Sequence, residues 1–387
     1  MRIAHLSDLH LGRVFHGAPL IEDQREALSA VVAALRERRV EVLLIAGDLY
    51  DRALPGREAV RLLDEFLRTV NEDLRVPVIA IAGNHDSAEH LGFGAWLFSR
   101  GDLHVRGRVD RDPAPITLDD AHGEVTFYPL PYVEPEGVRD LVDLGDDAPL
   151  THRGAVSALL DQARRHAREN GVTRAVVISH AFVVGASPPE ESRRSERSLY
   201  LGGAGAVPAS DFAGFDYAAL GHLHRPQSLT ERVRYAGSLM KYSFDEVGHD
   251  KGFTLVDLGP GGALSVEHVP IKPRRDLAAL SGPLDRLLTA PEHAHAEGCF
   301  VSVELTDHPP PLQAVERLRA RFPHVAEVHY AARPAPELIA LSAREAPRDP
   351  EEVFASFAEK IRGEAASDEE RAVFREALRE VEGREGA

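Results

Sequence analysis

Apolar residues recur along the first hundred positions in two alternating rhythms. Residues 2–7 form a short apolar run, and from Glu22 to Arg39 the positions Ala27, Val31, Ala34 and Leu35 recur at helical spacing between charges. Val40 to Ala46 is again apolar throughout, as a central parallel strand is. Residues 57–70 carry a helical stripe of Val60, Leu63, Phe66, Leu67 and Val70, and the run from Val76 to Ala82 follows. Strand, turn and helix thus repeat three times, which predicts a parallel sheet wound right-handed with its turns at one edge.

Each strand ends in a polar turn. Asp8-Leu9-His10-Leu11-Gly12 follows the first, Gly47-Asp48-Leu49-Tyr50-Asp51 the second and Gly83-Asn84-His85-Asp86 the third. Asp8 and His10, two residues apart, could point the same way from an extended segment. Ligands sit at the carboxyl ends of strands in open α/β sheets, so this is an active-site layout.

Residues 102–135 change to short β-rich pieces, read as a second sheet. A helix from about Arg153 to Asn170 leads into the apolar strand that ends at His180. Residues 185–208, rich in Gly, Ser, Pro and charge, read as a mobile loop. A strand from Tyr217 ends in Gly221-His222-Leu223-His224, and strands at Val233–Ala236 and Gly252–Leu258 complete the domain. A Pro and charge cluster at Pro270–Arg275 marks a boundary. Beyond it lie a strand from Phe300 to Leu305, a helix from Leu312 to Arg321 and a strand from Val325 to Ala331. Two amphipathic helices, Glu351–Arg362 and Asp368–Val381, close the chain as a docking arm or folded-back hairpin. The division expected is 1–272, 273–340 and 346–387.

Composition narrows the chemistry. The 387 residues are 43% hydrophobic and 28% charged, with no apolar run able to cross a bilayer, and a cytoplasmic protein is expected. A single cysteine, Cys299, leaves metal binding to oxygen and imidazole, and 19 histidines are available. The net charge of -17 weighs mildly against a free-standing nucleic-acid binder, although cations in a carboxylate-rich site or a partner subunit could offset it.

Collected, the strand ends supply Asp8, His10, Asp48, Asn84, His85, His180, His222 and His224. Carboxylate, amide oxygen and imidazole together suit manganese, iron or zinc, whereas an all-oxygen set would suit magnesium or calcium. Two ions roughly 3.5–4 Å apart, bridged by Asp48 from the central strand, are the economical arrangement. Such a pair activates a water and holds both the phosphate and the departing oxygen, which is the chemistry of phosphoester hydrolysis. The departing oxygen still needs a proton, and His85 is the best candidate donor, with Asp86 holding its other ring nitrogen. His5, His16 and His104 lack a Gly turn and read as structural or solvated.

The ordered set Asp8-x-His10, Gly47-Asp48-x-x-Asp51, Gly83-Asn84-His85-Asp86, His180 and Gly221-His222-x-His224 resembles the calcineurin-like metallophosphoesterase superfamily. Within it the chain resembles the SbcD family of nuclease subunits. That match rests on Ser7–Gly12, Ala82–Ser87, Ala219–Arg225 and Tyr235–Glu246. The resemblance implies a four-layer α/β/β/α sandwich with a small α+β capping domain and a C-terminal helical tail. It implies two manganese ions, with magnesium, iron or zinc as alternatives. Asp8, His10, Asp48 and His222 or its neighbours would divide between them, and Asn84, His180 and His224 would complete them. His85 would assist catalysis without binding metal. At Asp51 archaeal and eukaryotic relatives tend to carry a histidine, so no transition-state imidazole is assigned there.

The implied activity is cleavage of DNA phosphodiesters, by 3′ to 5′ double-strand exonuclease and single-strand or hairpin endonuclease action, in end processing, repair and recombination. The implied partners are DNA and an SbcC-type coiled-coil ABC ATPase that receives the tail helices, with the chain as a homodimer in a heterotetramer and no membrane. The competing reading is a metallophosphoesterase of the same superfamily acting on small phosphodiesters or phosphomonoesters. The length after residue 275, which a small-molecule enzyme does not need, separates the two.

Overall fold

The structure is a computed structural model that describes residues 1–109, 115–135, 151–186, 189–191, 205–331 and 349–385. Its centre is a pair of six-stranded sheets. The first runs in the order Leu264–Pro270, Gly252–Leu258, Arg2–Leu6, Val42–Ala46, Val78–Ile81, Leu103–Arg106. The last four strands are parallel, and the first two join them antiparallel. The second sheet runs Gln227–Ser228, Val233–Tyr235, Tyr217–Gly221, Ala175–His180, Gly123–Leu130, Ile116–Asp120, with its four inner strands parallel.

The two sheets face each other across a core of Ile3, Val42, Leu44, Ile79 and Ile81 from one and Val125, Phe127, Val176, Ile178 and Tyr217 from the other. Strands buried on both faces must be apolar at every position, which is why Val42–Ala46 shows no alternation. The outer face of the first sheet packs on the helices Ile21–Glu37 and Arg57–Arg68. Helix His152–Glu169 covers the second. The result is four layers, α/β/β/α, and each fully buried Leu, Ile or Val contributes about 1.5–3 kcal/mol.

Two expectations change. Leu103–Arg106 belongs to the first sheet, because the short helices Ala88–Gly92 and Ala95–Phe98 make a third right-handed crossover that returns it beside Val78–Ile81. Beyond Pro270 the unit is a three-stranded parallel sheet of Leu277–Gly282, Phe300–Leu305 and Val325–Tyr330, alternating with helices Leu284–Thr289 and Ala314–Arg321. Its first strand and helix were not read from the sequence. They close an apolar core around Leu284, Leu287, Val301, Val303, Leu318 and Phe322.

This cap is tied to the sandwich. Arg275 donates to the buried Asp23 at 2.9 Å and stacks over Phe300 at 4.4 Å. The Phe15 ring meets those of Phe300 and Phe244 at 5.3 and 5.4 Å. The tail forms helices Pro350–Arg362 and Asp368–Glu385, a hairpin whose Phe354 and Phe374 rings stack at 4.4 Å. Of the expected loop at 185–208, residues 187–188 and 192–204 lie outside the described residues, as do 332–340 and 346–348 of the expected cap and tail.

Candidate metal centre

The polar strand ends of both sheets meet in one place. Three come from the first sheet, after Leu6, Ala46 and Ile81, and two from the second, at His180 and after Gly221. Contrary to the expectation from their spacing, Asp8 and His10 do not reach inward by strand pleating; they and Asp48 sit in left-handed backbone. They have φ of 52°, 42° and 52°, and His222 has φ 114°. Left-handed backbone at non-glycine residues costs of order 1–3 kcal/mol each and persists where the surroundings over-determine it. Here the amides of Asp8 and His10 donate to the carbonyls of Gly47 and Asp48 at 3.0 Å, which locks the first two turns together.

The seven expected ligands are brought together. Nε2 of His10 and Nε2 of His224 lie 3.0 Å apart. On the other side Asn84 Oδ1 lies 2.9 Å from His180 Nε2 and 3.2 Å from His222 Nδ1. Between these groups stands Asp48, whose Oδ2 is 3.6 Å from Nε2 of both His10 and His180. The Asp8 carboxylate accepts the His222 amide at 3.1 and 3.2 Å. Donor atoms of Asp8, His10 and His224, and of Asp8, Asp48 and His180, fall within 4.8 Å of one another. A third grouping, His10, Asp51 and His85, is less suited to a cation, because Arg13 already donates to the Asp51 carboxylate at 3.0 Å.

Glycines make the approach possible. A Cβ on Gly83 would overlap the Asp48 side chain, and one on Gly221 would overlap the Ala46 carbonyl. Gly47, Gly83 and Gly221, which precede Asp48, Asn84 and His222, therefore have a steric reason.

Electrostatics prepare the cluster for cations. Burial lowers the pKa of His180, and burial together with neighbouring imidazoles holds His10 and His222 well below the usual histidine range. The imidazoles are thus neutral, with lone pairs available. His180 Nδ1 donates to the Ala46 carbonyl at 2.8 Å, which fixes its Nε2 as the bare nitrogen. The buried Asn84 Nδ2 and His10 Nδ1 have no hydrogen-bond partner among the described residues. A carboxylate–imidazole–amide set this dry, with lone pairs facing each other, fits divalent cations.

His85 lies at the rim of the cluster, its Nε2 4.0 Å from Asp48 Oδ2 and its ring 4.7 Å from that of His10. Asp86 is not its support. The Asp86 carboxylate accepts the amides of Leu49, Tyr50 and Gly83 at 2.9–3.0 Å, and His85 Nδ1 instead meets the Asp51 carbonyl at 2.9 Å. Asp86 is half-buried as a residue, yet its carboxyl is enclosed, and burial pushes it up to about 6 against the amides that favour its charge. Asp86 is taken up by two amides of the loop after Asp48, Leu49 and Tyr50, and by Gly83 of its own turn.

The sequence reading also missed Glu246, Lys251 and the carbonyl role of Asp51. No local signal singled out the first two, because Lys241, Asp245 and Asp250 are charged in the same stretch. Of the histidines read as structural, His5 bridges the sheets through Tyr217 and the Leu220 carbonyl, and His16 meets Glu327 of the cap at 3.3 Å.

Residues 1–226 match the calcineurin-like phosphoesterase family. The chain belongs to that family. The calcineurin-like phosphoesterase domain is followed, at residues 273–362, by a match to the type 5 capsule protein repressor C-terminal domain. Over 326 residues, 84% of each chain, this phosphoesterase is 30% identical to the SbcD component of the SbcCD nuclease of Staphylococcus epidermidis. Solved structures similar to it include a dimetal phosphatase from Danio rerio, at 13% identity and TM-score 0.38, covering 70% of this chain and 99% of that one. Another is an archaeal phosphodiesterase, at 14% identity and TM-score 0.31, covering 70% and 100%. All the turns that carry the candidate ligands fall within the residues that match the family.

Proposed function

We propose that this chain is the nuclease subunit of an SbcCD-type complex and hydrolyses DNA phosphodiesters with two divalent cations, manganese foremost. The observation that carries this reading is Asp48 Oδ2, 3.6 Å from a His nitrogen of each cluster, where one carboxylate can serve two ions. Asp8, His10 and His224 would hold one cation with Asp48, and Asn84, His180 and His222 the other. Bound there, the pair would lower the pKa of a water, orient it and neutralise the phosphate. His85, its Nδ1 engaged by the Asp51 carbonyl, presents Nε2 to the centre and in its protonated form hands a proton to the departing oxygen.

The cap extends the surface beside the site at Phe15, His16 and Glu327, which supports a polymeric substrate over a small one. On the tail hairpin Val353, Phe357, Ile361 and Val373 stay exposed, an apolar face that supports docking on the coiled-coil ATPase. Exposed Phe93, Trp96 and Leu97 support a second copy of this chain as a neighbour.

The deciding experiment compares cleavage of end-bearing hairpin DNA with turnover of bis-p-nitrophenyl phosphate, in manganese, with and without the ATPase. Manganese-dependent DNA cleavage is expected. Turnover of the small ester without any DNA cleavage, ATPase present, would instead assign the chain to small phosphoesters.

A further inference from the structure

Behind His224, on the side away from the cluster, lies a dry charged unit that the two-cation reading does not use. Glu246 and Ser238 are fully buried, and Lys251 nearly so. Glu246 Oε1 is 3.2 Å from His224 Nδ1, and Oε2 is 2.7 Å from Lys251 Nζ and accepts the Tyr242 amide at 3.2 Å. Lys251 Nζ also donates to the His224 carbonyl at 2.7 Å and to Ser238 Oγ at 2.9 Å. Glu246 and Lys251 therefore grip His224 by ring and by backbone.

An apolar pair of the same volume would pack as well, since burying two charges costs several kcal/mol per ion before their attraction is counted. The arrangement gains its effect at the imidazole. A carboxylate that accepts a hydrogen bond from Nδ1–H fixes the tautomer with a bare Nε2 and raises its basicity as a ligand. That Nε2 faces His10 Nε2 at 3.0 Å. Among the described residues, the matching imidazole of the other cluster, His180, has the neutral Ala46 carbonyl behind it, at 2.8 Å. Asp8 does not discriminate between the clusters, because it lies within 4.8 Å of donors in both. Asn84 adds no charge. Asp51 Oδ1 stands 3.8 Å from His10 Nδ1, beyond hydrogen-bond reach, so Glu246 is the anion in hydrogen-bond contact with a ligand imidazole that makes the two positions unequal.

We propose that Glu246, held by Lys251, is a positioning residue for His224 that makes the Asp8/His10/His224 position the tighter of the two cation positions and leaves the Asn84/His180/His222 position weaker and exchangeable. This rests on the two-cation reading above.

The test is calorimetric titration of Mn2+ into the metal-free full chain, with free Mn2+ followed by electron paramagnetic resonance. Two unequal steps are expected. Glu246→Gln should weaken the tighter step about 10- to 100-fold and leave the weaker one in place, and Glu246→Asp should recover part of the loss. The double variant Glu246→Gln/Lys251→Met, which leaves no uncompensated buried charge, gives the same readout if the single variant does not fold. Equal steps in the unaltered chain, or an unchanged tighter step in the folded double variant, would overturn the proposal while sparing the two-cation reading. So would equal weakening of both steps, the mark of a general structural role. No Mn2+ binding by the unaltered chain would sink both.

Discussion

His85 donates a hydrogen bond from its Nδ1–H to the backbone carbonyl of Asp51, 2.9 Å away. A carbonyl can only accept, so the contact settles which ring nitrogen carries the proton and leaves Nε2 toward Asp48. Because the backbone makes this contact, the side chain at position 51 is not needed for it.

His85→Gln should therefore keep both cations and lose hydrolysis by about 10²- to 10⁴-fold. Asp51→Asn, which retains the carbonyl, should cost far less. Manganese stoichiometry measured beside the cleavage rate checks both, and a stoichiometry of one in His85→Gln would make His85 a ligand.

Asp86→Asn should act on the loop and not on proton transfer. The substituted amide brings an NH2 against backbone donors from Leu49, Tyr50 and Gly83, so about 1–3 kcal/mol of stability should go with the lost acceptor. Denaturant midpoints measure the loss. The pH–rate profile should keep its shape, and a displaced limb would return Asp86 to the chemistry.

Gly83→Ala and Gly221→Ala test the close approach of the turns. Each new Cβ overlaps a neighbour, Asp48 for the first and the Ala46 carbonyl for the second, and overpacking costs about 1–3 kcal/mol. Manganese affinity should fall in both, since the turns that carry the ligands must part. Gly298→Ala, where a Cβ meets open space, should stay within about 0.5 kcal/mol of the unaltered chain.

His5 sets a pH dependence that does not pass through the metal centre. Burial between the sheets lowers its pKa from 6.5 to about 3, so below about pH 6.5 the unfolded chain takes up a proton that the folded chain refuses. Its contribution to stability is intact above that pH and falls by about 1.4 kcal/mol per unit on acidification. His5→Gln should shrink the loss between pH 7 and pH 5 by ~2 kcal/mol in metal-free protein. An unchanged loss in urea titrations would show that His5 does not carry it.

Much of this was legible without coordinates, and the reason lies in periodicity. Strand–turn–helix repetition from Arg2 to Ala82 permits one winding, which sends Asp8, Asp48 and Asn84 to a common edge. The Gly before Asp48, Asn84 and His222 marked where backbones approach. The residue types Asp, Asn and His, with a single cysteine, narrowed the chemistry to oxygen and imidazole ligands before any distance was known.

Other features depend on which distant segments meet, and local pattern does not carry that. Periodicity could not say that Leu103–Arg106 returns to the first sheet or that Ala175–His180 and Tyr217–Gly221 lie in the second, facing it. It could not say that a backbone carbonyl, and not Asp86, orients His85. Nor could it place Glu246, 22 residues beyond His224, against the back of that imidazole. Short-range pattern selects elements and their order, since strand pleat and helix turn repeat over a few residues. Which groups desolvate one another, and hence which charge stands behind which ligand, is decided only when the two sheets close.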